Sequence, residues 1–299
     1  MSGDSGQLNF RDRTIMALYQ SRLPTQLKAG VRKLTSRLYA YRNSDFLKEA
    51  HSSLQETPDD SSDYIQLFLS YVKKLSAQSS LHIKMDIDKK TLDDIVSSNK
   101  PHIFVMNHDS LRADPYMFLN FVQALYHKYQ DAGSDAICPR AKLVLSIALL
   151  NSMSDSQREV LEKLGAVGIN ADICNSATRV ELNRKAFRRL LNDFIADKSH
   201  IFIFPEGRNR IFPWLDIRSK IQPGVADMIR LLVKKKEEVR VVPLAFAYSS
   251  FTKPWDRSAS LKMGDVISFK AQDGMKAEQI LDVVSEAMEE SKTNAQKML

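Results

Sequence analysis

From about residue 81 onward, short apolar runs of strand length alternate with amphipathic stretches of helix length. No other feature of the chain constrains its fold as much. The runs are LHIKMD, HIFVMN, AVGI, HIFIFP, VRVVPLAFAY and ISFK, and among them lie the helical segments RVELNRKAFRRLLNDFIA and VADMIRLLVKKK. Short, continuous apolar runs suit strands covered on both faces. Strands alternating with helices predict an α/β domain with a mostly parallel sheet flanked by helices. Pro243, late in VRVVPLAF, predicts an edge or terminal position, because proline cannot donate to a central ladder. LKMGDVISF, residues 261–269, reads as strand, turn, strand around Gly264-Asp265.

The first 80 residues read differently. Apolar residues recur at helical spacing in IMALYQSRL and YIQLFLSYVKKL, with ETPDDSSD as a loop between them. The expected division is therefore a helical N-terminal domain, 1–80, and an α/β domain, 81–299. The N-terminal part holds no catalytic cluster.

Functional residues of such a sheet belong in loops at the strand ends. The first such turn is VMNHDSLRADPY, residues 105–116, which delivers Asn107 and His108 at the end of a buried strand. Asp114 precedes Pro115 and suits the start of a helix. A carboxylate has two oxygens, so it can serve a helix start and a histidine together. On these residues alone, His108 and Asp114 fit either a base with its partner or a structural histidine beside a helix cap. The second turn, PEGRNR at 205–210, brings Glu206, Gly207, Arg208 and Arg210 out at one strand end. Glycine lets a backbone amide approach a ligand closely, and arginine recognises phosphate in a bidentate manner. In the third, KIQPGVADMIRLL, Pro223-Gly224 leads into a helix.

Charge is distributed unevenly. The formal excess is +7, and residues 179–240 carry all of it, with 15 Lys and Arg against 8 Asp and Glu. Much of that excess reads as solvated helix face, as in KKKEE. The remainder suits an anionic partner such as a phosphate ester or a lipid headgroup. No basic stretch is interleaved with aromatics as in a nucleic-acid motif, so no nucleic-acid partner is expected. No apolar run approaches the roughly 18 residues of a membrane span, and MSGDSGQLNFRDR lacks a signal-peptide core. A cytoplasmic, non-secreted protein with peripheral membrane contact is the expectation, with Trp214 and Trp255 as candidate interfacial anchors. Cys138 and Cys174 make no metal or redox pattern, and neither metal nor cofactor is expected.

Taken in order, NH-x5-D, FPEGRNR, the Pro-Gly helix start, VVPLAF and MGDVI resemble the motif set of the glycerolipid acyltransferase superfamily. Within it, GRNR and NHDSLRADP are most similar in style to the soluble, plastid-type glycerol-3-phosphate acyltransferases. Three departures stand out. Five residues separate His108 from Asp114 where the family has four, and the segment DSLRA offers room for the extra one. GINAD at 168–172 places Asn170 where the family has arginine nearby, with Arg179 the next arginine. Arg208-Asn209 replaces the usual continuation of the FPEG motif.

The resemblance implies transfer of a fatty acyl group from acyl carrier protein or coenzyme A, as thioester co-substrate, to a hydroxyl of glycerol 3-phosphate. It implies His108 as general base, Asp114 as the partner that holds its tautomer, and the Gly207 amide as oxyanion donor. Arg208 and Arg210 would bind the acceptor phosphate, with Glu206 positioning the loop or the glycerol hydroxyls. Asn107 and, in PRAKLVLS, Arg140 and Lys142 complete the expected substrate contacts. Lysophosphatidate or another lysophospholipid is the alternative acceptor. A non-catalytic lipid- or phosphate-binding protein of the same fold is the alternative from another class.

Overall fold

The computed structural model describes residues 82–98, 100–108, 114–133, 139–150, 165–169, 176–196, 199–205, 221–249 and 258–299, with single positions at 155, 158 and 162. The helical domain expected over 1–80, Trp214, Trp255 and both cysteines lie outside the described residues.

The strands are β1 (His82–Asp86), β2 (His102–Met106), β3 (Ala141–Ser146), β4 (Ala166–Ile169), β5 (His200–Ile203), β6 (Glu238–Tyr248), β7 (Ser258–Met263) and β8 (Ile267–Lys270). The described helices are α1 (Lys89–Ser97), α2 (Asp114–Asp131), α3 (Ile147–Leu150), α4 (Ser176–Ala196), α5 (Pro223–Lys236) and α6 (Ala277–Lys297). One sheet runs in the order β1-β7-β6-β2-β5-β3-β4, with β8 beside β6. The strands β4, β3, β5, β2 and β6 are parallel, while β7, β8 and β1 oppose them. The fold is therefore α/β with a mostly parallel sheet, as the alternating pattern predicts.

Strand β2 is buried at every residue because helices cover both of its faces. Phe104 and Met106 pack with Met117, Phe118 and Phe121 of α2. Ile103 and Val105 point the other way, toward Leu190 and Phe194 of α4 and Ile229 of α5. The aromatic residues fix how α2 lies on the sheet. Phe104 stacks on Phe202 of β5 at 4.6 Å between ring centroids, and Phe118 meets Phe202 edge-on at 5.0 Å. Helix α5 opens at Pro223 with Gln222 as its N-cap, as the Pro-Gly start predicts.

Pro243 corrects the expectation of an edge position. It lies midway along β6, opposite Val105 of the central strand β2. The ladder with β8 ends at Val241, and the ladder with β7 begins at Leu244. The Pro243 carbonyl accepts from the Gly264 amide at 2.9 Å, on the side away from β2. A residue's carbonyl and amide nitrogen face the same side of a strand. The missing N–H therefore falls in the gap between β8 and β7, where no ladder needs it. Gly264 is required at this junction. A Cβ there would stand 2.4 Å from Ser291 Oγ of α6 and 2.9 Å from Pro243 Cγ.

At the amino ends of β2 and β5 two histidines are fully buried. His200 Nδ1 accepts from the His102 backbone amide at 3.0 Å, and its Nε2 lies 3.2 Å from the Tyr129 hydroxyl. Among the described residues, neither ring nitrogen of His102 finds a hydrogen-bond partner. Burial, followed by the charge of Arg240, pushes His102 down to about 3. Burial, followed by His102, holds His200 well below its ordinary range.

Candidate active site

The opposite, carboxyl end of β2 gathers the polar residues. Asn107 follows β2 directly and is 2% exposed. Its Nδ2 donates to the Phe246 carbonyl at 2.9 Å, and its Oδ1 accepts from the Phe246 amide at 2.6 Å. An amide side chain thus extends the β2–β6 pairing one step past Met106↔Leu244. Asn107 thereby braces the β6 backbone.

His108 comes next and lies beside Asp114, the first residue of α2. His108 Nδ1 is 2.5 Å from Asp114 Oδ2, with the two side chains 18% and 0% exposed. The second oxygen, Oδ1, accepts from the Tyr248 hydroxyl at the end of β6. An ionised carboxylate only accepts, so in this pair the proton of a neutral imidazole sits on Nδ1 and the lone pair on Nε2. The His108 ring stacks on Phe204 with centroids 4.4 Å apart and planes 30° apart.

Phe204 and Pro205 begin the FPEG stretch, and parallel pairing of β2 with β5 through Val105↔Ile203 brings that stretch to the histidine. The Pro205 carbonyl accepts from the Gln222 amide at 2.8 Å, which ties together the two ends of the intervening segment. Glu206, Gly207, Arg208 and Arg210 belong to that segment and lie outside the described residues. So do the five residues between His108 and Asp114, as well as Asn170.

Arg140 and Lys142 are elsewhere. Arg140 precedes β3, and Lys142 is the second residue of that strand, where it pairs with Ile201 near the amino end of β5. At about 3.3 Å per residue, that is roughly 10 Å along the sheet from Phe204. Lys142 Nζ forms an ion pair with Asp193 of α4 at 3.1 Å, on the face away from α2. The substrate contacts expected of Arg140 and Lys142 stand as proposals. AKLVLS is a sheet strand, and its lysine reaches a helix carboxylate on the other side.

Two residues at the site escaped sequence reading, Tyr248 and Phe204. Tyr248 closes the run VRVVPLAFAY, and its partner Asp114 is 134 positions away in sequence. The one available signal is length. At 11 residues β6 outlasts its 5-residue neighbour β2, so its last residues must overhang the turn after β2.

Among the described residues no cluster of His, Cys, Asp and Glu could hold a metal ion, and no helix is long and apolar enough to cross a membrane.

No protein-family model matches the chain, and no curated protein matches its sequence. Among solved structures, the fold is similar to the crystal structure of the 1-acyl-sn-glycerophosphate (LPA) acyltransferase PlsC from Thermotoga maritima. The TM-score is 0.51 at 16% identity, covering 89% of this chain and 97% of that one. At that identity the likeness is one of fold.

Proposed function

We propose that this chain is an O-acyltransferase of the glycerolipid type, moving a fatty acyl group from an acyl thioester to a hydroxyl of a glycerol phosphate. The observation that carries the reading is the contact of His108 Nδ1 with Asp114 Oδ2 at 2.5 Å, at the carboxyl end of β2. It stands on a fold similar to that of an acyltransferase.

In this mechanism His108 Nε2 takes the proton of the acceptor hydroxyl as its oxygen attacks the thioester carbonyl carbon. Asp114 holds the Nδ1–H tautomer and offsets the charge of the imidazolium that forms. The tetrahedral intermediate then collapses with cleavage of the carbon–sulfur bond, and the imidazolium returns its proton to the leaving thiolate. The Gly207 amide is the proposed oxyanion donor. Arg208 and Arg210 are the proposed phosphate ligands, with Glu206 positioning the loop. Acyl carrier protein or coenzyme A is the proposed carrier of the thioester.

Glycerol 3-phosphate is the proposed acceptor, on the likeness of GRNR and NHDSLRADP to the soluble glycerol-3-phosphate enzymes. Lysophosphatidate is the second reading, favoured by the acceptor named for the similar structure. Purified protein offered acyl thioester with each acceptor separates them. His108→Ala is expected to lower turnover by roughly 100- to 10,000-fold. Transfer undiminished in that variant would sink the assignment of His108. Fatty-acid or phosphate binding without transfer to either acceptor would instead identify a non-catalytic relative of the fold.

A further inference from the structure

We propose that Tyr248 is a positioning residue that sets the angle of the Asp114 carboxylate and, through it, the orientation of the His108 ring. This rests on His108 being the general base of the proposed transfer. The observation is that the two oxygens of one buried carboxylate are shared between two strands. Oδ2 is held by His108 after β2, and Oδ1 by the Tyr248 hydroxyl at the end of β6.

A carboxylate turns readily about its last side-chain bond, because that torsion is broad and roughly two-fold. The hydrogen bond from His108 holds one oxygen, and any tilt of the carboxylate tilts the imidazole with it. A second, charge-assisted bond to the other oxygen removes that freedom. The anchor must itself be rigid, and Tyr248 is. It is buried at 4% exposure and faces Ala259 in the β6–β7 ladder. The next residue, Ser249, donates its amide to the Ser258 carbonyl at 3.0 Å. Two residues earlier, Asn107 holds the Phe246 peptide by both its amide and its carbonyl. The residue after β2 therefore locks the register of β6. The last residue of β6 then reaches over to the carboxylate that faces the histidine. The loop closes through three elements, β2, β6 and the start of α2.

The test is Tyr248→Phe, which keeps the ring and its packing and deletes the hydroxyl. Turnover is expected to fall about 10- to 100-fold, with KM for either substrate changed less than about twofold. In Asp114→Asn the same second substitution is expected to add less than about twofold, because both changes act on one carboxylate. Nitrogen-15 histidine NMR gives a readout independent of activity. The His108 Nδ1–H resonance, assigned with His108→Gln, is expected to move upfield in Tyr248→Phe and to exchange with solvent about 10-fold faster. An unmoved resonance, or multiplicative losses in the double variant, would overturn the proposal. So would a Tyr248→Phe protein of lowered melting temperature but unchanged turnover per folded molecule. If the wild type transfers no acyl group to either acceptor, the functional reading fails, while the NMR comparison still decides whether Tyr248 governs the His108–Asp114 pair.

Discussion

Asn107→Ala separates a brace from a substrate contact. The Asn107 side chain occupies the Phe246 carbonyl at 2.9 Å and the Phe246 amide at 2.6 Å, in a site 2% open to solvent. Alanine deletes both bonds and leaves two buried backbone groups unsatisfied. Each such group costs about 1–3 kcal/mol, so the loss should come to about 2–6 kcal/mol, a large part of the stability of an ordinary domain. In urea, where unfolding slopes are about 1–3 kcal/mol per molar, the midpoint should fall by roughly 1–2 M. The folded variant should also lose turnover, since Tyr248 stands two residues beyond the released peptide, with KM for the acceptor little changed. Equilibrium urea unfolding followed by far-UV circular dichroism, with steady-state kinetics below the transition, reads both quantities. A midpoint shifted by less than about 0.3 M, combined with a tenfold higher acceptor KM, would refute the brace and return Asn107 to the substrate. Asn107→Asp guards against a misleading null. It keeps an acceptor for the Phe246 amide, loses the donor to the carbonyl and buries a charge, so it should destabilise at least as much.

The buried histidines predict a pH dependence of stability that is separate from catalysis. His102 is pushed down to about 3 from an ordinary 6.5, and His200 is lowered too, so below 6.5 the unfolded chain binds protons that the folded chain refuses. Their contribution is fully present above pH 6.5 and is lost as pH falls, by at most about 1.4 kcal/mol per pH unit for each imidazole. Urea midpoints at pH 7.5, 6.5 and 5.5 should decline, and His102→Leu should flatten roughly half of that slope; equal slopes in the two proteins would contradict the assignment. Lys142→Met should leave kcat/KM within about twofold, because the lysine serves Asp193 on the far face of the sheet. A tenfold rise in acceptor KM would show that the basic segment reaches the substrate after all.

What the sequence made legible follows from where each signal is encoded. Strands β2, β5 and β6 are continuous apolar runs because helices cover both faces of the sheet, and such runs are visible residue by residue. Strand β3 was hidden by its own lysine. Lys142 reads as a functional charge, yet it makes an ion pair with a helix carboxylate. Pro243 misled for a related reason. A proline rule speaks of a missing donor, while the cost depends on which neighbour lies opposite that donor, and here two short strands leave a gap. At the site, His108 and Asp114 are close in sequence and were nameable. Tyr248 was not, because its task depends on how far β6 outruns β2, a property of strand pairing rather than of local composition.

The glycerolipid acyltransferase motif that this stretch resembles has four residues between histidine and aspartate, whereas five separate His108 from Asp114. Lengthening a connection from four residues to five changes its closure cost by only about 0.2 kcal/mol. The packing that fixes its two ends is worth far more. Met117, Phe118 and Phe121 of α2 are buried against the sheet, and burial of side chains of that kind contributes about 1.5–3 kcal/mol each. Those contacts hold the first residue of α2, Asp114, while β2 and the stacked ring of Phe204 hold His108. The Tyr248 hydroxyl adds a third fixed point. The packing of α2 on Phe104 and Phe202 therefore sets where the carboxylate lies. A motif written as a count of residues is a proxy for that packing, and in this chain the two part company while the 2.5 Å contact remains.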